Sequence, residues 1–128
     1  MNPVLIAAVA VGGALGSVAR YLTVVAAGRW FGSAFPWGTL AVNLIGSLVM
    51  GILAELAAQR LSFPEPWLVF LFVGILGGFT TFSSFSLDVV TLMNRSLGLA
   101  FVYVAGTLLL GIGALFLGLA LVRWGLRI

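Results

Sequence analysis

Gly77-Gly78-Phe79-Thr80-Thr81-Phe82-Ser83-Ser84-Phe85-Ser86 lies in an apolar segment covering about residues 67–93. A plain membrane-spanning helix carries Leu, Ile, Val and Ala in such a place. Here two adjacent glycines are followed by hydroxyl residues interleaved with phenylalanines. A glycine inside a helix costs roughly 1 kcal/mol relative to alanine. The Thr and Ser side chains can bond backbone groups that a break sets free. The stretch therefore predicts a helix that opens at about residues 77–80 and restarts near Thr81. Irregular backbone at membrane depth persists only where protein buries it or where it lines a watery or ionic path.

The rest of the composition places this segment in a bilayer. The chain has 128 residues, 62% of them hydrophobic and 7% charged, where a soluble domain carries about 25% charged residues. Its mean hydropathy is +1.27. A spanning helix needs about 20 residues, so this length accommodates roughly four spans with short connectors. No cysteine or histidine is present, which excludes disulfides, thiol catalysis and the commonest transition-metal ligands. Met1-Asn2-Pro3 passes directly into apolar sequence without a basic n-region, so it reads as the start of a span and not as a removable signal.

Outward from the broken segment, the expected fold is all-α: one four-helix transmembrane domain, residues 1–128, with spans at about 3–27, 38–58, 67–93 and 97–122. Pro3 suits a first helical turn. Gly12 and Gly16, with Gly13 beside them, allow close helix contact. Arg20 is the anomaly of the first span: it either snorkels to the interface or faces a polar vestibule. Trp30 and Trp37 read as interfacial anchors. In the second span Thr39, Asn43 and Ser47 recur every four residues and form one stripe, with Glu55 two turns farther on. Tyr103, Thr107 and Gly111 repeat that spacing in the last span.

Net charge is +3, from six arginines against three acids. The arginines are scattered singly, as helix-end anchors in lipid headgroups rather than a surface for nucleic acid. Four spans put both chain ends on one side, together with Arg60, Arg123 and Arg127. The other side holds Arg29 and Arg95, and Arg20 if it snorkels that way. The positive-inside rule then has almost no bias to act on. A chain without bias inserts both ways round, and pairing of the two orientations gives an antiparallel homodimer, the single-chain counterpart of an inverted repeat.

With Glu55, Glu65 and Asp88 as the only acids, no nucleophile–base arrangement is available, and an enzyme is not expected. There is no Walker motif or dinucleotide fingerprint. Transport remains. Asn43 offers an amide donor, the Thr and Ser residues rotatable O–H donors, and Tyr103 a phenolic one. Phe82 and Phe85, three apart, share a helix face, and the rim of a phenyl ring is the positive end of its quadrupole. Such a lining can replace water around a small anion without a fixed cation that would hold it too long. The same residues admit a plainer reading: helix packing for the two phenylalanines, an interhelical hydrogen bond for Tyr103 and Thr107.

The run from Gly77 to Ser86 resembles the signature of the Fluc (CrcB) fluoride channels. Trp37-Gly38-Thr39-Leu40-Ala41-Val42-Asn43-Leu44-Ile45-Gly46 is similar to their second-helix motif, and the glycine cluster followed by Arg20 to their first. The resemblance covers all four spans. It implies a dual-topology antiparallel homodimer with two fluoride pores, each lined by both subunits, in the plasma (inner) membrane of a bacterial cell. It further implies that Phe82 and Phe85 turn ring edges to the ion, that Asn43 positions the lining, and that Thr81 and Ser84 supply pore hydroxyls. Tyr103 and Thr107 would form a polar track, shortened by Gly111, and Arg20 a vestibule. It implies finally a structural sodium ion on the dimer axis, bound by the Gly77 and Thr80 carbonyls of both copies. Two other readings stand beside it: a small four-helix multidrug or cation exporter, which needs an intramembrane carboxylate, and a non-transporting assembly subunit.

Overall fold

The computed structural model describes residues 1–59 and 62–127. Arg60, part of the charge tally, lies outside the described residues. Among those described, all regular structure is helical. Four stretches are long and apolar enough to cross a membrane: Pro3–Phe31, Trp37–Gln59, Glu65–Met93 and Leu97–Gly125. These are the first to fourth spans.

Local chemistry sets their ends. Asn2 Oδ1 accepts from the Val4 N–H at 2.9 Å and Pro3 occupies the first turn, where its missing N–H costs nothing. The first span runs past its expected end to Gly32, whose φ of 78° suits glycine and closes the helix. Ser96 caps the fourth span through Oγ, which accepts from the Leu99 N–H at 3.3 Å.

Glycines then choose the helix pairs. A Cβ on Gly12 would stand 2.6 Å from the Phe70 carbonyl oxygen, and one on Gly78 would stand 2.7 Å from that of Gly13. The first and third spans therefore run parallel in backbone contact, as small residues permit. The second and fourth form an equivalent parallel pair, with Gly51 against the Leu115 carbonyl and Gly118 against that of Leu48. The third span is wound as a π-helix over Val69–Leu76, a rare form that tends to accompany functional sites.

The third span opens later than expected. Gly77–Phe79 remains helical. The residues that leave the helix are Thr80 (φ −83°, ψ 159°) and Thr81 (φ −152°, ψ 124°), and Phe82 begins the next helix. The physical reason is that Gly78 serves close approach to the first span, while the extended backbone falls on two β-branched residues that adopt it readily. A small core of Phe85, Leu92, Ala100 and Tyr103, with Phe35 packed against it, ties the restarted helix to the fourth span.

Candidate functional site

Two extended residues in the middle of an apolar bundle leave backbone groups that must find partners. Asn43, reaching from the second span, supplies them. Its Oδ1 accepts from the Thr81 N–H at 2.9 Å, and its Nδ2 donates to the Thr81 carbonyl at 3.0 Å. Thr81 Oγ1 accepts from the Ser84 N–H at 3.2 Å and so caps the restarted helix. Thr80 folds its hydroxyl back onto the Leu76 carbonyl at 2.9 Å.

One consequence concerns carbonyls. In an unbroken helix the Thr81 N–H would reach Gly77 O and the Ser84 N–H would reach Thr80 O. Both donors are committed elsewhere. Arg20 turns inward to the break, where Nη1 donates to the Thr80 carbonyl at 3.4 Å; it does not snorkel outward.

Beside the break lies a groove of about 440 Å³, bordered by Asn43, Thr81, Phe82, Phe85 and Thr107. Ser47 and Gly111 border it too; Ser47 Oγ would be 4.0 Å from a Cβ on Gly111. Phe85 is 8% exposed and Phe82 76%, their ring centroids 5.7 Å apart. The Thr107 hydroxyl is buried and has no hydrogen-bond partner among the described residues. Such orphans are rare because a buried, unmatched polar group is costly.

Of the expected site residues, Asn43, Thr81, Phe82, Phe85 and Thr107 meet in this groove. Tyr103 does not border it. Buried behind Phe85, with centroids 5.2 Å apart, it donates its O–H to Asp88 Oδ2 at 3.0 Å. Ser84 is exposed and also stands outside the groove's border, contributing its N–H to Thr81. Gly77 is exposed, and a Cβ there would meet nothing closer than Phe72 O at 3.8 Å.

Sequence reasoning missed the partners of the acids. Asp88 belongs with Tyr103. Glu55, bound by Arg123 Nε at 2.9 Å and by Gln59 Nε2, is buried at the far end of the second and fourth spans. The available signal was cost: a carboxylate inside a span needs a partner, and few polar residues exist to provide one.

Residues 7–119 match the family described as CrcB-like protein, Camphor Resistance (CrcB). The chain is 58% identical over 121 residues to the fluoride-specific ion channel FluC of Rhodospirillum centenum, covering 93% of this chain and 95% of that one. It is 56% identical over 119 residues to FluC of Agrobacterium fabrum, with 92% and 95% covered. Against FluC of Nitrobacter winogradskyi it is 53% identical over 119 residues, with 92% and 94% covered. Since these matches enter all four spans and include both Asn43 and the broken third helix that it holds, the chain belongs to the CrcB family.

Proposed function

We propose that this chain is a fluoride-selective channel that lets the ion leave the cell passively. The observation that carries the reading is the buried, partnerless Thr107 hydroxyl, which borders the groove beside the rings of Phe82 and Phe85. Fluoride is a small, strong hydrogen-bond acceptor. An unused O–H donor and two phenyl rims offer what it loses on leaving water, and among the described residues no fixed cation borders the groove to trap it. Asn43 serves the lining indirectly, by holding Thr81 in place. Arg20 brings positive charge to one side of the break.

The driving force is chemical. Hydrogen fluoride is neutral and crosses lipid; inside a near-neutral cell it dissociates and the anion is trapped. A membrane potential that is negative inside then pushes fluoride out through a passive path. The relatives' names support the substrate, and the plasma membrane is where such a gradient acts.

The working unit in this reading is an antiparallel homodimer with two pathways. The 76% exposure of Phe82 supports it, as does the bare backbone at Gly77. Both leave a face that a second copy would complete. A sodium ion between the copies fits the donor set: unwound carbonyls are hard oxygen ligands, and Gly77 O has lost its helical donor. At Thr80 O the fit requires the Arg20 guanidinium to draw back. When bound, sodium would supply charge that ties the freed carbonyls of two chains together.

An exporter reading needs a carboxylate free to exchange protons. Glu55 is held by Arg123 and Asp88 by Tyr103. Fluoride efflux from liposomes, followed with a fluoride electrode, separates the readings. Efflux above that of protein-free vesicles is expected; none would reject the channel.

A further inference from the structure

Arg95, in the turn between the third and fourth spans, reaches back across the chain and donates from Nη1 to the Ala34 carbonyl at 3.0 Å. This pins the connector between the first two spans just before Phe35. The Phe35 ring packs on Tyr103, centroids 5.4 Å apart at 82°, and on Trp37 at 4.7 Å. Tyr103 is 5.2 Å from Phe85, and Phe85 is 5.7 Å from Phe82. The rings Phe82, Phe85, Tyr103 and Phe35 thus make one continuous file. It leads from the groove to a second cavity of about 250 Å³, walled by Phe35, Thr39, Asp88, Thr91 and Arg95. Arg95 and Asp88 share this cavity without pairing; the salt bridge among the described residues is Glu55–Arg123.

Resting on the fluoride-channel reading, we propose that this second cavity is a mouth of the pathway, that Phe35 is the last ring of its lining, and that Arg95 is the positioning residue that keeps Phe35 there. The connector residues on either side of the pin are bends outside any helix, so a charge-assisted bond to a single carbonyl is a strong restraint on them. The guanidinium is already committed to Ala34. The bond leaves the guanidinium charged, so salt dependence is what separates its hold on Phe35 from a direct pull on the ion.

The test is fluoride efflux from liposomes for the parent, Arg95→Ala, Phe35→Leu, Phe35→Tyr and the Arg95→Ala/Phe35→Leu double variant. Arg95→Ala and Phe35→Leu are each expected to slow efflux about fivefold or more. The double variant should be no slower than the singles, because both remove one arrangement. Phe35→Tyr keeps a ring and should retain the parent rate, which apolar bulk alone would not explain. The loss in Arg95→Ala should be the same at low and high salt, since screening weakens only a direct charge effect. Unchanged efflux in the single variants, multiplied losses in the double, or equal losses with Leu and Tyr would each overturn the inference. If Arg95→Ala does not assemble, the Leu and Tyr pair at position 35 carries the test. A parent that fails to conduct would instead reject the channel reading itself.

Discussion

Asn43 grips Thr81 with both atoms of its amide, accepting from the N–H at 2.9 Å and donating to the carbonyl at 3.0 Å. The side chain acts as one rung of a β-ladder inside a helical bundle. It satisfies the backbone of a residue that has left its helix, 38 positions along the chain. Few side chains can do this: the residue needs one donor and one acceptor, two bonds apart and coplanar.

Asn43→Asp keeps the acceptor and loses the donor. The Thr81 carbonyl would then face a carboxylate oxygen, and a buried acceptor left without a donor costs about 1–3 kcal/mol. Fluoride efflux should fall at least tenfold, with a melting temperature several degrees lower. Asn43→Leu, which abandons both bonds, should be worse in stability than Asp. Thermal melts in detergent and liposome efflux check the order; an Asp variant with parent-like flux would remove Asn43 from any part in the pathway.

Phe82 and Phe85 differ in burial and should differ in response. Phe82, 76% exposed on the single chain, contributes little to its packing. Phe82→Ile should cut fluoride flux while the elution position on gel filtration stays that of the parent. Phe85 packs on Tyr103 at 5.2 Å, and an aromatic pair contributes about 0.5–1.5 kcal/mol beyond its area. Phe85→Ile should therefore lower both flux and melting temperature. Equal stability loss at the two positions would contradict the exposure difference.

The four-span, all-helical architecture was legible because hydropathy and length act locally. The stripe at Thr39, Asn43 and Ser47 was legible for the same reason: fourfold spacing needs no tertiary knowledge. The residues of the helix opening were less so. Gly77-Gly78 reads as a weak point, yet Gly78 is there because the Gly13 carbonyl is 2.7 Å from where its Cβ would be. That neighbour is remote in sequence. Tyr103 shows a similar limit. Its spacing from Thr107 predicts a shared track, but its partner Asp88 sits on another helix and turns the phenol away from the groove. The connector contact from Arg95 to Ala34 spans 61 positions and leaves no periodic trace.

The adjacent glycines offer a test of the second copy. Gly78→Ala would drive a Cβ to 2.7 Å from a backbone oxygen of the first span; backbone cannot swing aside, so expression and melting temperature should both drop. Gly77→Ala meets nothing within 3.8 Å and gains about 1 kcal/mol of helix propensity. If a second copy covers that face, Gly77→Ala should nonetheless weaken the dimer, seen as dissociation at higher protein concentration on gel filtration. A Gly77→Ala dimer as tight as the parent would place the partner elsewhere.

The proposed sodium ion can be tested through the carbonyls that would hold it. Replacing it on both sides of the membrane with a large organic cation should reduce fluoride flux and dimer stability together, because the Gly77 and Thr80 oxygens of two chains would then face one another unmatched. Since Arg20 Nη1 lies 3.4 Å from Thr80 O, Arg20→Ala should make the chain bind sodium more tightly, and flux should persist to lower sodium concentrations. Flux independent of sodium in both proteins would remove the ion from the assembly.

Glu55 and Arg123 join the second and fourth spans at 2.9 Å, beyond the Met50 and Leu115 end of the groove, with the carboxylate side chain 7% exposed and the guanidinium 55%. The two helices already touch through Gly51 and Gly118, and the ion pair fixes their relative height. Glu55→Gln removes the charge and keeps the shape. Arg123 can then turn to water or a lipid phosphate, so the penalty is limited by its exposure. A modestly lower melting temperature with fluoride flux near that of the parent is expected. Loss of flux at unchanged melting temperature would instead mean that Glu55 acts on the ion, and would revive the exporter reading, in which a carboxylate must exchange its proton.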